Sequence, residues 1–358
     1  MDRLPACRCL QIVALFCLFM GLPFAVSPRL VSAAPQSDTA QPHLDQGAAL
    51  LRQGELKAAE EAARKALQLN PSSAEAQRLL GQILFKARKP HEAAEAFIHA
   101  IKLKPAYAEA LNDLAEVYVA QGKSAEAEQA LTRAIEINPK HAESYLDLAK
   151  IYEQRRDSSA AKKIYQNLLA VAPTQSDALF ELATLYDNQG EAKAAKDMLS
   201  KLTKAHPKHA NAWYLSGQIA ERNNDLVEAA YAYKQAIAAK PGLVDAHYNL
   251  GFIYRSQGKP NEAEREFLEV LRYRPEYAEA HMNLGVVYTS VSKLEDAEHE
   301  YETAVSLKPD YAEAHYNLGV FYELHRKDMP RALAQYRKYR ELGGRDDRVE
   351  RIVGSTFR

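Results

Sequence analysis

Apolar and polar positions follow a helical period along most of the chain, and the stretch after Ala278 shows it clearly. One set of residues is spaced i, i+3, i+4, i+7, which places it on one face of a helix: His281, Leu284, Gly285 and Tyr288. After a short polar connection a second set is spaced i, i+4, i+7, i+8: Ala297, Tyr301, Ala304 and Val305. The pattern predicts two amphipathic helices joined by a short loop.

Prolines recur at a constant interval of 34 residues, at Pro71, Pro105, Pro139, Pro173, Pro207, Pro241, Pro275 and Pro309. Proline ends a helix because it lacks an amide donor and crowds the preceding turn. A fixed period of this length indicates stacked structural repeats. With proline at position 32 of each unit, the repeats start at residues 40, 74, 108, 142, 176, 210, 244, 278 and 312.

Two positions of the repeat hold only small residues. Position 8 is Gly47, Gly81, Ala115, Ala149, Ala183, Gly217, Gly251, Gly285 and Gly319. Position 20 is Ala59, Ala93, Ala127, Ala161, Ala195, Ala229, Ala263 and Ala297, and Ala332 takes this role in the last repeat after a one-residue insertion around Asp328 to Pro330. We expect the paired helices to cross closest at these positions, where a larger side chain would cost about 1–3 kcal/mol.

Taken together, these positions resemble the tetratricopeptide repeat. Residues at its characteristic places include Trp213, Leu284, Tyr288, Ala297, Tyr301, Ala304 and Pro309. The resemblance covers residues 40–345 and implies an all-α fold, a right-handed α-solenoid superhelix of about nine helix-turn-helix repeats. Such arrays serve as binding scaffolds in many systems.

Both ends of the array depart from the pattern. The first repeat has Gln46 where Leu is expected and Ala63 in place of an aromatic residue, so we expect it to act as a cap. Residues 346–358 form a short C-terminal cap or tail, in which Val349, Ile352 and Val353 share one face and are placed to cover the last helix pair.

The first 33 residues have the pattern of a secretory signal peptide. Arg3 and Arg8 precede an apolar run over residues 9–26, and small residues before Ala34 suit signal peptidase. We expect cleavage near Ala33, a linker over residues 34–39, and a periplasmic or otherwise extracytoplasmic protein. The alternative is an uncleaved N-terminal membrane anchor, because the apolar run is almost long enough to span a bilayer. Only then would the protein contact a membrane.

Composition narrows the possible functions. The formal net charge of -1 over 358 residues argues against a nucleic-acid binder, which needs a basic face. All three cysteines, Cys7, Cys9 and Cys17, lie in the leader, so the mature chain has no disulfide or thiol nucleophile. We find no phosphate-binding loop, nucleophile elbow or zinc-binding motif, and therefore expect no enzyme activity, no cofactor and no small-molecule substrate.

Histidines and tyrosines that recur in the repeats are expected to pack rather than to react. His247, His281 and His315 stand at position 4, but stacked helices lie about 8–10 Å apart, too far for donors to share one metal ion. We therefore predict packing histidines and no metal. The tyrosines at position 11 are predicted core residues: Tyr118, Tyr152, Tyr186, Tyr254, Tyr288 and Tyr322.

In this family the first helix of each repeat lines a concave groove through positions 2, 5, 6, 9, 12 and 13. Position 9 is polar in the middle repeats, where it is Glu116, Lys150, Thr184 and Gln218, and apolar in the last three, where it is Phe252, Val286 and Val320. Position 5 of these last three repeats is Tyr248, Met282 and Tyr316. Unburied apolar groups mark partner sites, so we predict binding at this end.

The last three repeats also carry asparagines at position 6, Asn249, Asn283 and Asn317. An amide both donates and accepts, so it can bind a peptide backbone whatever the side chain. This series is similar to the asparagine ladder in the superhelix of O-linked N-acetylglucosamine transferase, without its catalytic part. The alternative is that repeats 7–9 are simply closest to the family consensus.

The sequence therefore predicts a non-enzymatic scaffold that holds a protein or extended peptide segment in its groove. The leader suggests a role in bacterial envelope or secretion-system assembly. The alternative function is a chaperone-like binder of exported unfolded chains. A scaffold captures one partner, whereas a chaperone binds many chains weakly.

Overall fold

The computed structural model describes residues 36–355, and this part of the chain is helical with no β-strand. The predicted signal peptide lies outside the described residues. Within them, no helix is both long and apolar enough to cross a membrane. The chain divides into two compact units, Met1–Ser72 and Ser73–Arg358, which are described separately.

The first unit contains one helix pair, α1 (Gln36–Gln53) and α2 (Leu56–Leu69). The chain turns between them at Gly54, whose φ of 83° lies in the left-handed region that glycine tolerates. Ala59 and Ala63 of α2 are fully buried. Because α1 begins at Gln36, it includes residues that the sequence analysis assigns to a linker.

The second unit continues as consecutive helix pairs. Their bounds are α3 (Ala74–Lys86), α4 (Pro90–Leu103), α5 (Ala108–Ala120), α6 (Ser124–Ile137), α7 (Ala142–Gln154), α8 (Ser158–Val171), α9 (Ser176–Asn188), α10 (Ala192–Ala205), α11 (Ala210–Arg222), α12 (Leu226–Ala239), α13 (Val244–Ser256), α14 (Pro260–Tyr273), α15 (Ala278–Ser290), α16 (Leu294–Leu307), α17 (Ala312–Phe321), α18 (Met329–Glu341) and α19 (Asp347–Ser355). The predicted pairs, their period and their proline-containing connections agree with these bounds. The fold is an all-α solenoid, as predicted.

The small residues occupy the predicted tight positions. Every alanine at position 20 of repeats 2 to 9 is fully buried: Ala93, Ala127, Ala161, Ala195, Ala229, Ala263, Ala297 and Ala332. In repeats 2 and 6 to 9, the glycine at position 8 lies under an aromatic ring from the second helix of the same repeat. A Cβ on Gly81 would be 2.6 Å from Cε1 of Phe97, and one on Gly217 would be 2.5 Å from Cε1 of Tyr233. In these five repeats position 8 is therefore glycine because a ring covers it.

The last repeat absorbs its extra residue in a different place from the one expected. A π-helical turn, Tyr322–Arg326, follows α17, and such a turn holds one residue more than an α-helical turn. The left-handed residue of the following loop is shifted by one position to Lys327, with a φ of 55°. The insertion thus lies at the end of the first helix and not around Asp328 to Pro330.

Buried side chains of the second unit form several clusters, and the larger ones join neighbouring repeats. One cluster contains Tyr233 of α12, Leu250 of α13, Phe267 of α14 and Leu284 of α15. At the C-terminus, Val349 and Val353 of α19 are buried against the last helix pair, and Ile352 packs beside them. The short helix α19 therefore covers the last helix pair.

The position-11 tyrosines are less buried than a core assignment implies. Tyr254 and Tyr322 are buried, whereas Tyr118, Tyr152, Tyr186 and Tyr288 are only half-buried. Half-burial allows a hydroxyl to reach a surface carboxylate, as Tyr152 does by donating to Glu128 Oε1 at 2.7 Å. Tyrosine suits this position because its ring packs while its hydroxyl stays near the surface.

Candidate functional site

The candidate site consists of the inner helices of repeats 7, 8 and 9, which are α13, α15 and α17. Its most open apolar side chain is Phe252 at position 9, which is 41% exposed. Val286 and Val320, at the same position in the next two repeats, are half-buried and pack at the edge of the C-terminal core cluster. The three helices therefore present one partly open apolar side chain each.

The position-5 residues differ in exposure. Tyr248 and Tyr316 are half-buried, and the ring of Tyr248 makes an edge contact with Tyr277 at a centroid distance of 5.4 Å. Met282 is only 2% exposed and packs with Ala304 and Ala314. Met282 is thus a core residue and not the open groove residue that the sequence analysis expects, because its unbranched side chain fills a gap between helices.

Asn283 is also buried, with 1% of its surface exposed. Its Nδ2 donates to the hydroxyl of Tyr248 at 3.1 Å and to the backbone carbonyl of Glu279 at 2.7 Å. Its Oδ1 accepts from Nη1 of Arg255 at 2.5 Å. Both donors of this amide are engaged within the protein, which differs from the expectation of an open asparagine ladder.

The other two asparagines lie in a more open setting. Asn249 is half-buried, and its Nδ2 donates to the hydroxyl of Tyr233 at 3.1 Å. Asn317 is half-buried, and its Nδ2 makes only a weak contact of 3.4 Å with Sδ of Met282. The three amides are therefore not equivalent, and only Asn249 and Asn317 remain accessible to a partner.

The structure joins positions 5 and 6 of consecutive repeats. Tyr248 of repeat 7 contacts Asn283 of repeat 8, and Met282 of repeat 8 contacts Asn317 of repeat 9. The sequence spacing alone does not reveal these contacts, because they connect residues 35 apart on different helices. They hold the neighbouring inner helices in a fixed register.

Arg255 at position 12 belongs to this surface and was not among the predicted site residues. Its guanidinium lies over the ring of Phe252, 4.7 Å from the ring centroid, and bonds to Asn283. Position 12 is one of the groove-facing positions of the repeat. Its place in the repeat could therefore have identified Arg255 as a site residue, although an arginine by itself does not suggest one. Arg255 partly covers the ring of Phe252, the most exposed apolar side chain of this surface, and supplies a positive charge beside it.

The position-4 histidines lie behind this surface and form internal hydrogen bonds. His247 contacts Glu266 Oε2 through Nδ1 at 2.6 Å and the Pro241 carbonyl through Nε2 at 3.0 Å. Burial disfavours the charged ring, but these hydrogen bonds raise the pKa of His247 above its usual value. Within residues 36–355, no three His, Cys, Asp or Glu side chains are grouped so that they could hold a metal ion.

Comparison with known families agrees with this architecture. One profile described as a tetratricopeptide repeat matches residues 44–90, 81–142, 146–195 and 180–244, which is more than half of the chain. The chain belongs to the tetratricopeptide-repeat family. Two further profiles, described as a tetratricopeptide repeat and a TPR repeat, match residues 119–170, 221–285 and 287–325. Tetratricopeptide-repeat proteins are generally non-catalytic scaffolds that bind proteins or peptides.

Solved structures of the same family resemble the chain in fold. PilF of Pseudomonas aeruginosa is 22% identical and has a TM-score of 0.50, over 59% of this chain and 96% of PilF. YrrB, a TPR protein with an unusual peptide-binding site, is 24% identical with a TM-score of 0.47, over 52% and 96%. MamA of Desulfovibrio magneticus RS-1 is 20% identical with a TM-score of 0.44, over 47% and 94%. No curated protein matches the chain in sequence.

Proposed function

We propose that this protein is an exported, non-enzymatic scaffold that binds an extended segment of a protein partner along α13, α15 and α17. The observation that carries the proposal is the series of apolar position-9 side chains, in which Phe252 is 41% exposed and Val286 and Val320 are half-buried. Apolar groups left open at a regular spacing on one face are typical of a partner site.

The accessible amides of Asn249 and Asn317 fit this role because they can bond to a peptide backbone. Adjacent repeats lie about 10 Å apart, which corresponds to about three residues of extended chain. An extended segment would therefore meet a position-9 apolar side chain at about every third residue, and an accessible amide, of Asn249 or Asn317, at about every sixth. Asn283 supports the surface from within, since it holds the Tyr248 hydroxyl and the Arg255 guanidinium.

Export is part of the proposal and rests on the sequence of residues 1–33. The basic start, the apolar run over residues 9–26 and the small residues before Ala34 are those of a secretory signal peptide. An exported scaffold would act in the bacterial envelope, and assembly of an envelope or secretion system is the role we propose for it.

The test is affinity capture from an envelope extract with the parent protein and with the double variant Asn249→Ala and Asn317→Ala. We expect one retained partner, and a loss in its affinity of roughly fivefold to a hundredfold in the variant, because each net hydrogen bond contributes about 0.5–1.5 kcal/mol. Titration of the captured partner against both proteins measures the change. The free energy of unfolding should fall by no more than about 0.5–1.5 kcal/mol in the variant, the contribution of the hydrogen bond from Asn249 to Tyr233.

Asn283→Ala is the matched control within the same series. Removing this buried amide leaves Tyr248 and Arg255 without a partner, so urea unfolding should show a loss of about 1–3 kcal/mol. Unchanged partner affinity in the Asn249 and Asn317 variant would overturn the proposed site. Capture of many chains at low affinity, in place of one partner, would favour the chaperone-like function.

A further inference from the structure

A second open surface lies on the inner helices of repeats 3 and 4, α5 and α7. It is a groove of about 390 Å³ whose walls include Val119, Leu146 and Ile151. Val119 is 37% exposed, and Leu146 is half-buried. Four carboxylates line the same groove, from Asp113, Glu116, Glu143 and Asp147. The groove is thus lined by both apolar and acidic side chains.

These carboxylates are only partly neutralised within the protein. Asp113 pairs with Arg78 at 2.5 Å, and Asp147 pairs with Lys150 at 3.2 Å. In the described part of the chain, no cation forms an ion pair with Glu116. Partial burial, followed by repulsion from Asp113, Asp147 and Glu143, raises the pKa of the Glu116 carboxyl above its usual range. The lining of the groove therefore carries four carboxylates and one cation, Lys150, so negative charge is in excess there.

Two of the four carboxylates, those of Asp113 and Asp147, stand at the same repeat position that carries the asparagines. Position 6 is Asp113, Asp147 and Glu181 in repeats 3 to 5, and Asn249, Asn283 and Asn317 in repeats 7 to 9. Glu181 is half-buried, and burial together with repulsion from Glu153 and Asp177 raises the pKa of its carboxyl. One array thus has inner helices of two chemical kinds.

We propose that the groove between α5 and α7 binds an extended protein segment in which Lys or Arg side chains stand beside aliphatic ones. The aliphatic groups would cover Val119 and Leu146, and the cations would pair with Glu116 and its acidic neighbours. A basic partner is favoured because every cation that enters relieves repulsion among four carboxylates, and such charge complementarity sets specificity. This site is distinct from the one proposed on repeats 7 to 9 and does not require it.

The probe is a capped octapeptide of alternating Lys and Leu, compared with the same peptide carrying Glu in place of Lys. The intact protein should bind the Lys peptide, with an affinity that falls as salt screens the charges, and should not bind the Glu peptide. The double variant Glu116→Gln and Asp147→Asn should bind the Lys peptide roughly tenfold or more weakly. Calorimetric titration measures both.

The control variant Glu95→Gln and Glu136→Gln removes the same number of charges from exposed positions on α4 and α6 and should bind like the parent. Glu116→Gln alone should melt no earlier than the parent, because it removes a repelled carboxylate, and should still weaken binding. The Asn249 and Asn317 variant should keep its affinity for the Lys peptide, which separates the two sites.

Three outcomes would overturn the proposal. Equal binding of the Lys and Glu peptides would show a surface selected by apolar contact alone. If the groove variant and the control variant bind the Lys peptide with equal affinity, the peptide binds outside the groove. Binding of the Lys peptide weaker than about 1 mM would show that the acidic groove has no such ligand.

Discussion

At the scale of single residues, the side chain at position 8 is smaller where the side chain at position 24 of the same repeat is larger. Glycine stands under the ring in five repeats, as Gly81 does under Phe97. Where position 24 is Leu131 or Leu199, position 8 is Ala115 or Ala183, and both pairs share a buried cluster. Repeat 1, with Gly47 and Ala63, and repeat 4, with Ala149 and Tyr165, depart from this match. In the five repeats with a glycine under a ring, the two positions act as one packing unit, because the ring lies too close for a methyl group.

Gly81→Ala should therefore destabilise the protein, although Gly→Ala in an exposed helix interior stabilises it by about 1 kcal/mol. The new Cβ would lie 2.6 Å from the Phe97 ring, so we expect a net loss of about 1–3 kcal/mol in urea unfolding. Adding Phe97→Leu should recover part of that loss, since the chain itself pairs alanine with leucine. A double-mutant cycle with no coupling between the two changes would contradict this packing account.

At the scale of helices, the position-4 histidines connect three segments. His281 contacts Glu300 of α16 at 2.5 Å and the Pro275 carbonyl of the preceding loop at 2.9 Å, in the same way as His247 contacts Glu266 and Pro241. Both ring nitrogens face acceptors, so both must carry protons to donate. His315 instead contacts Gln335 at 2.7 Å. A glutamine side chain can present either its amide oxygen or its NH2 group, so it can accept from or donate to the ring nitrogen.

Repeats 7 and 8 should therefore lose stability as the pH rises. Burial opposes the charged ring, but the carboxylate and carbonyl bonds raise the pKa of both His247 and His281 above their usual value. A raised folded-state pKa adds stability that is complete below about pH 6.5, the unfolded value, and is lost as the pH passes through the folded-state pKa. Amide exchange in α13 to α16 between pH 6 and pH 9 measures the loss.

The matched variant for this test is Glu266→Gln with Glu300→Gln, which copies the natural arrangement at His315. Its local stability should change less with pH than that of the parent, because a glutamine amide can bond to a neutral imidazole. If parent and variant lose protection equally as the pH rises, the two histidines are not responsible for the pH dependence.

At the scale of the whole molecule, the second unit presents two inner surfaces of different charge. Repeats 3 and 4 carry the acidic groove, and repeats 7 to 9 carry the apolar side chains and the accessible amides. Each repeat of a solenoid contacts mainly its neighbours, so a change in one surface should leave the other intact. If both proposals hold, one chain would bind two different segments, or two regions of one partner.

The proposed export gives a prediction for the intact chain. Mass spectrometry of the envelope fraction should find a mature N-terminus near Ala34, because small residues before this point suit signal peptidase. Washing the membranes with salt or carbonate should release the mature protein. If the protein keeps Met1 and stays in the membrane after that wash, the leader is an uncleaved membrane anchor and the prediction is wrong.

The sequence by itself determined the repeat, the helix faces and the close-packed positions. These features depend on local spacing, and the 34-residue period repeats each of them along the chain. Leu284, Gly285 and Ala297 could be assigned to the core from one repeat, since their helical spacing places them on the faces that the two helices of a pair turn toward each other. Their burial in the structure confirms the assignment.

Only the tertiary structure decided which groove positions stay open. Met282 and Asn283 have the same repeat positions as the half-buried Tyr316 and Asn317, yet both are buried, because side chains from the adjacent repeat close over them. The structure alone also showed that the extra residue lies at Tyr322–Arg326 and that four carboxylates come together across α5 and α7. Exposure on a stacked array depends on contacts between residues about one repeat apart, and a periodic pattern read within one helix does not contain that information.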